Sequence, residues 1–111
     1  MDFLPKEISD YAIRFSEKET QLLAALNRET HKNVMMPRML SGHLQGRIIA
    51  MISKMINPIS ILEIGTYTGY SALCLAEGLE KNGLLHTIDI NEEYISIAKK
   101  YFDKSKYNKN I

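Results

Sequence analysis

A chain of 111 residues, 45% hydrophobic and 24% charged, has the composition of one small globular domain, which excludes a fibre or a disordered tail. Fourteen basic and thirteen acidic side chains leave a net charge of +1, too little to draw nucleic acid or an anionic membrane from a distance. The single cysteine, Cys74, excludes an intrachain disulfide framework and suits a reducing compartment, so the cytoplasm is the expected location.

Met1-Asp2-Phe3-Leu4-Pro5-Lys6-Glu7 lacks the basic start and apolar core of a signal peptide. No apolar stretch approaches the roughly 20 residues needed to span a bilayer, so a soluble protein without a membrane partner is expected. Pro5 opens a first helix, with Ile8, Tyr11, Ala12 and Phe15 on one face. Ser16-Glu17-Lys18-Glu19 has the Ser-x-x-Glu form of a capping box and predicts a second helix, carrying Leu22, Leu23 and Leu26, to about Lys32. Asn33 to Leu40 is expected to be a loop, because Pro37 lacks an amide donor and biases Met36 away from helix. From about Gly42, Leu44, Ile48, Ile49, Ile52, Met55 and Ile56 form the apolar stripe of a third helix, closed by Asn57-Pro58.

Ile59 to Ile64 is a short, β-branched run bounded by Pro58 and Gly65, as expected of a strand buried on both faces. Leu84 to Ile90 is a second. Between them Tyr70 to Glu80 has a helical pattern, with Asn82-Gly83 as its stop, so the three make a right-handed parallel βαβ unit. After Asp89, Asn91 caps a further helix, with Glu92 and Glu93 in its first turn and Tyr94, Ile95, Ala98 and Phe102 on its apolar side. The fold class is therefore α/β: N-terminal helices over residues 1–57, then over 58–111 the first βαβα of a Rossmann-like doubly wound parallel sheet. That sheet is incomplete, since two parallel strands make a poor one.

In open α/β sheets ligands sit beyond the carboxyl ends of the strands, which here places Glu63 to Tyr70 beside Asp89. Gly65 and Gly69 let the backbone turn sharply and approach a ligand, and the amides opening the Tyr70 helix favour an anionic group. Asp89 lies 24 residues after Gly65, near the roughly 20-residue offset at which an acid takes ribose hydroxyls. These features indicate an adenosine-containing ligand. Gly-x-x-x-Gly departs from the Gly-x-Gly-x-x-Gly of dinucleotide enzymes, and Glu63 decides between ligands. A carboxylate two residues before the turn opposes a pyrophosphate but suits the ammonium and sulfonium of S-adenosylmethionine.

Ile61-Leu62-Glu63-Ile64-Gly65-Thr66-Tyr67-Thr68-Gly69-Tyr70-Ser71, followed by His86-Thr87-Ile88-Asp89-Ile90-Asn91, resembles the catechol and caffeoyl-coenzyme A O-methyltransferase family. Met39-Leu40-Ser41-Gly42 and Gln45-Gly46 are similar to the segment that precedes the family's first strand, so the resemblance covers roughly residues 30 to 111. It implies that Glu63, Gly65, Tyr67, Tyr70 and Ser71 line the methionine part of S-adenosylmethionine, and that Met39 and Ser41 close over it. Asp89 would hold the ribose and Ile90 flank the adenine. It further implies methyl transfer to a small hydroxyl-bearing substrate, a divalent cation such as Mg held by two aspartates and an asparagine from later strands, a catalytic lysine there, and a homodimer. Those later segments are not among the 111 residues, so no catalytic or metal-binding residue is carried over and this chain alone is expected to have no turnover.

Plainer accounts exist for each feature. A tight turn with a solvated acid would explain Glu63 and the glycines, and the macrodipole alone would place Asp89 before a helix. Tyr67 and Tyr70 could simply pack on the sheet, and Cys74 is expected to be a small, buried, unreactive residue. His31, His43 and His86 share no metal-ligand spacing. Met35 and Met36 suit packing or a subunit contact, and Lys99, Lys100, Lys104, Lys106 and Lys109 suit a solvated helix face better than nucleic acid. Two other functions stand beside methyl transfer: a non-catalytic module that binds cofactor weakly or self-associates, and a nucleotide-dependent oxidoreductase fragment, disfavoured by Glu63 and the glycine spacing.

Overall fold

A computed structural model describes residues 4–111; Met1 to Phe3, part of the stretch read for a signal peptide, lie outside the described residues. The elements run α1 (Lys6–Arg14), α2 (Gln21–Asn33), a single 3-10 turn (Pro37–Met39), α3 (Gly42–Ile56), β1 (Ser60–Ile64), α4 (Tyr70–Ala76), β2 (Leu84–Ile88) and α5 (Glu92–Lys104). The two strands pair in parallel, with Ser60 opposite Leu84 and Ile64 opposite Ile88. The expected βαβ unit of an α/β fold is thus formed, and its carboxyl ends lie side by side.

One core joins the helical segment to the strands. Leu23 and Leu26 of α2, Ala50 of α3, the buried face of α4, Leu85 of β2, and Ala98, Tyr101 and Phe102 of α5 share it. α3 meets α4 through small residues, Gly46, Ala50 and Ser53. A Cβ at Gly46 would stand 2.8 Å from the Cys74 Sγ and 2.9 Å from the Tyr70 ring, so the two helices approach as closely as a glycine allows. The Ser53 hydroxyl donates to the Leu75 carbonyl at 2.6 Å, and Arg47 binds Glu77 and, at 2.8 Å, Glu17.

This close seam overturns one expectation about α3. Most of the apolar stripe that marks the helix in sequence does not face the core: Ile49 packs against it, but Ile48, Ile52, Met55 and Ile56 are exposed, because the inward face must be small. α1 likewise buries none of its residues, and Ile8, Tyr11 and Phe15 stay exposed. β1 is also not buried on both faces. Ile61 and Leu85 pack into the core, whereas Leu62, Ile64, Leu84 and Ile88 are exposed on the sheet's other side, which nothing among the described residues covers.

The helix ends refine the sequence reading. Ser16 and Glu19 form no capping box; Thr20, in an extended conformation, caps α2 by accepting from the Leu23 amide at 3.2 Å. Ser16 instead donates back to the Ala12 carbonyl, and Glu19 accepts from the Tyr70 hydroxyl. Asn57 closes α3 in the left-handed region at φ +50°, and Asn91 caps α5 by accepting from the Glu93 and Tyr94 amides, as their positions predicted. α4 stops at Ala76 rather than Glu80, because the amides of Glu77, Gly78 and Leu79 bond three residues back and tighten the chain. There a Cβ at Gly78 would lie 2.2 Å from the Ser53 backbone. Beyond α5, the Leu85 amide donates to the Asn110 carbonyl at 2.7 Å, so the last residues run along the outer edge of β2. No helix of the described residues is long and apolar enough to cross a membrane.

Candidate functional site

The turn after β1 is built on three left-handed residues: Gly65 (φ +99°), Tyr67 (φ +49°) and Gly69 (φ +96°). The amides of Gly65 and Thr66 donate to the Ile88 carbonyl at 2.8 and 3.2 Å, and the Gly69 amide donates to Thr66 at 2.9 Å, so the turn is stitched to the end of β2 and closed on itself. The two glycines differ in surroundings. A Cβ at Gly69 would stand 2.7 Å from the Phe102 ring, whereas one at Gly65 would meet nothing within 4 Å. Gly69 admits α5, and Gly65 leaves open space beside the turn.

Strand register places Glu63 opposite Thr87. The Thr87 hydroxyl donates to one Glu63 carboxylate oxygen at 2.7 Å and the Ser71 hydroxyl donates to the other. Having given its one proton to Glu63, Thr87 accepts from the Thr66 hydroxyl at 2.6 Å. Glu63 and Ser71 are therefore brought together, half-buried, with two carboxylate lone pairs remaining. No side chain caps α4, so the amides of its first turn, from Tyr70 and Ser71, are left to the space ahead of the helix.

Asp89 is held from below. Its carboxylate accepts from the Asn91 and Tyr67 amides, each at 2.9 Å. The Asn91 amide, helped by those of Tyr67, Ile90 and Thr66 against a smaller desolvation, keeps this carboxyl below its ordinary value. Ile90 beside it is 98% exposed. Tyr67 joins three segments: its amide is on Asp89, its hydroxyl donates to the Met36 carbonyl at 2.6 Å, and its ring meets Tyr94 edge-on at 4.8 Å. Burial raises its phenol, which stays protonated as that donor.

Tyr70 is placed otherwise. Its ring is buried at 2% exposure against Gly46, its hydroxyl donates to Glu19, and burial drives its phenol far up, so only its backbone is at the turn. Met39 and Ser41 are not in contact with the Glu63 group. They line a cavity of about 970 Å³ with residues of α1 and α3, and neither Glu63 nor Asp89 is in its wall. The hydroxyl of Tyr67 on Met36 is the tie between that connector and the turn. Cys74 is fully buried, with its thiol pushed up to about 11 by burial. No group of three or more His, Cys, Asp or Glu among the described residues is placed to hold a metal ion.

Sequence reasoning missed Thr66 and Thr87, the hydroxyl relay that orients Glu63. A signal was present. If Gly65 and Asp89 end parallel strands together, the residue two before Asp89 must face the residue two before Gly65, which pairs Thr87 with Glu63.

Comparison with known proteins places this turn in context. The chain is 31% identical over 88 residues to a catechol O-methyltransferase of Niastella koreensis, which covers 79% of this chain and 39% of that protein. A methyltransferase of Podospora anserina, solved in SAH-bound form, superimposes with a TM-score of 0.81 at 26% identity, over 94% of this chain and 47% of that one. An O-methyltransferase of Bacillus cereus superimposes with a TM-score of 0.85 at 23% identity and the same coverage, a likeness of fold. The chain thus spans about half the length of these solved structures, and less of the catechol enzyme. The O-methyltransferase family profile matches residues 13–111, nearly the whole sequence, and the chain belongs to that family.

Proposed function

We propose that residues 58–111 are the S-adenosylmethionine cradle of an O-methyltransferase acting on a small hydroxyl-bearing molecule, with the helical segment 1–57 as its cover. One observation carries this reading: the Glu63 carboxylate, oriented by Ser71 and Thr87, stands beside a turn whose Gly65 leaves open space. A carboxylate there attracts an ammonium or sulfonium and repels a pyrophosphate, which disfavours the oxidoreductase alternative.

The remaining groups fit the same ligand. The uncapped amides of Tyr70 and Ser71 suit the amino-acid carboxylate. Asp89, pinned by backbone amides, keeps lone pairs for ribose hydroxyls, and the exposed Ile90 offers an apolar face to adenine. Tyr67 props the turn, and Met39 and Ser41 are the segment that would close over it. Once bound, the cofactor would supply an electrophilic methyl group, to be transferred from the sulfonium sulfur, which keeps the bonding pair, to an acceptor oxygen whose proton passes to a base. The SAH-bound state of the Podospora relative supports the ligand class. The divalent cation that would orient and acidify the acceptor hydroxyl, and the base, belong in this reading to segments outside the 111 residues. A cytoplasmic homodimer is part of the same proposal.

Isothermal calorimetry tests it. S-adenosylmethionine and S-adenosylhomocysteine are expected to bind, and Glu63→Gln to weaken the first by about tenfold and the second less, because only the first carries the sulfonium charge. Binding of a nicotinamide dinucleotide alone would overturn the assignment. Binding of none of the three favours a non-catalytic module.

A further inference from the structure

We propose that Thr30 of α2 is a positioning residue for the S-adenosylmethionine turn, acting through a fully buried hydroxyl pair with Thr68, so that α2 is part of the cradle's mount and not only its cover. The inference rests on the cofactor reading above. Thr30 and Thr68 are each 0% exposed, lie 38 residues apart in the chain, and bring their hydroxyl oxygens to 2.9 Å. The Thr30 hydroxyl donates to the Leu26 carbonyl at 2.8 Å, one helical turn back. Having spent its one proton there, Thr30 can only accept from Thr68. The chain of donors therefore has one direction, from the turn to Thr30 to the backbone of α2.

The position of Thr68 makes this contact matter to the site. It stands between Tyr67 at φ +49° and Gly69 at φ +96°, the two left-handed residues that end the turn. A left-handed conformation costs a non-glycine residue such as Tyr67 free energy, and a turn of this kind keeps its shape only where its surroundings over-determine it. The ties from Thr66 to Thr87, from the Tyr67 amide to Asp89 and from the Tyr67 hydroxyl to Met36 are all part-buried. Water can stand in for a partner lost from any of those, whereas nothing replaces a partner lost between Thr30 and Thr68. Leu23 and Leu26 lock α2 into the core, so the helix offers a fixed point. From that point Thr68 is held, and with it the neighbouring Tyr67, whose amide holds Asp89.

The experiment uses the 111-residue chain, with S-adenosylhomocysteine affinity measured by calorimetry at a temperature where circular dichroism shows each variant folded. Thr30→Val keeps the shape of the side chain, removes the acceptor, and is expected to weaken binding about fivefold. Thr30→Ser, which keeps the hydroxyl, should stay within about twofold of the parent. Thr68→Val should weaken binding to the same extent as Thr30→Val, and the double variant no further, because one contact is lost only once. That double variant buries no unpaired hydroxyl and carries the comparison if either single one fails to fold. Leu23→Ala lowers stability through the same helix with both hydroxyls intact and should leave affinity within about twofold of the parent. Parent-like affinity in a folded Thr30→Val or in the double variant, losses that multiply between the two sites, a Thr30→Ser variant as weak as Thr30→Val, or an equal loss in Leu23→Ala would each overturn the positioning role and leave the cofactor reading standing. Failure of the parent chain to bind S-adenosylhomocysteine would instead sink the cofactor reading, and this role with it.

Discussion

Gly65 and Gly69 have nearly the same positive φ in opposite surroundings, and their substitution separates folding from binding. Gly69→Ala adds the cost of a left-handed alanine, about 1–2 kcal/mol, to the cost of pressing a methyl into Phe102, about 1–3 kcal/mol. A loss of about 2–5 kcal/mol in urea unfolding is expected. Gly65→Ala incurs only the first cost but intrudes on the open space, so its loss should show mainly in S-adenosylmethionine affinity. Asp89 makes a pH prediction. Its folded-state value lies below the ordinary 3.8, so its contribution to stability is fully present above that value and is lost as pH falls through the lower folded one. The stability advantage of the parent over Asp89→Asn, read from urea midpoints, should hold at neutral pH and shrink below about pH 4.

Helix ends show what could be read from the chain and what could not. Asn57 and Asn91 were legible because an asparagine's own backbone and side chain carry out the capping, whatever lies nearby. The Ser16–Glu19 box looked as good in sequence. It fails because Glu19 has a tertiary partner, the Tyr70 hydroxyl, 51 residues away, and a local pattern holds no record of that. Thr20→Ala should therefore cost about 1 kcal/mol in thermal or urea unfolding, and Ser16→Ala clearly less; the reverse order would restore the capping box. α3 was legible as a helix but not in its orientation. A hydrophobic stripe signals burial somewhere, whereas the Gly46–Ala50–Ser53 seam is set by how closely α4 approaches. The same limit applies to the site: glycines, Glu63 and Asp89 stand out in the turn, but Thr66 and Thr87 become visible only once strand register is known.

At the scale of the molecule, the main fact is what is left uncovered. Leu62, Ile64, Leu84 and Ile88 form an apolar surface around His86 on one side of the sheet, and the exposed stripe of α3 adds a second. The relatives that share the fold are about twice as long, so a reading that assigned each apolar run to an interior was sound for a whole domain and failed for this length of chain. Surfaces of this kind drive association. Sedimentation of the 111-residue chain is expected to show concentration-dependent self-association, and Leu62→Lys with Ile64→Lys to weaken it while leaving the melting temperature nearly unchanged. A strictly monomeric parent chain would contradict this.

Tyr67 grips the turn, the connector and α5 at once. Its consequence is thermodynamic reciprocity. Whatever free energy a ligand at the glycine turn lends to ordering the Met36 connector, an occupant of the neighbouring cavity that orders the connector must return to the turn. The Tyr67 hydroxyl would then be the coupling between the turn and the connector.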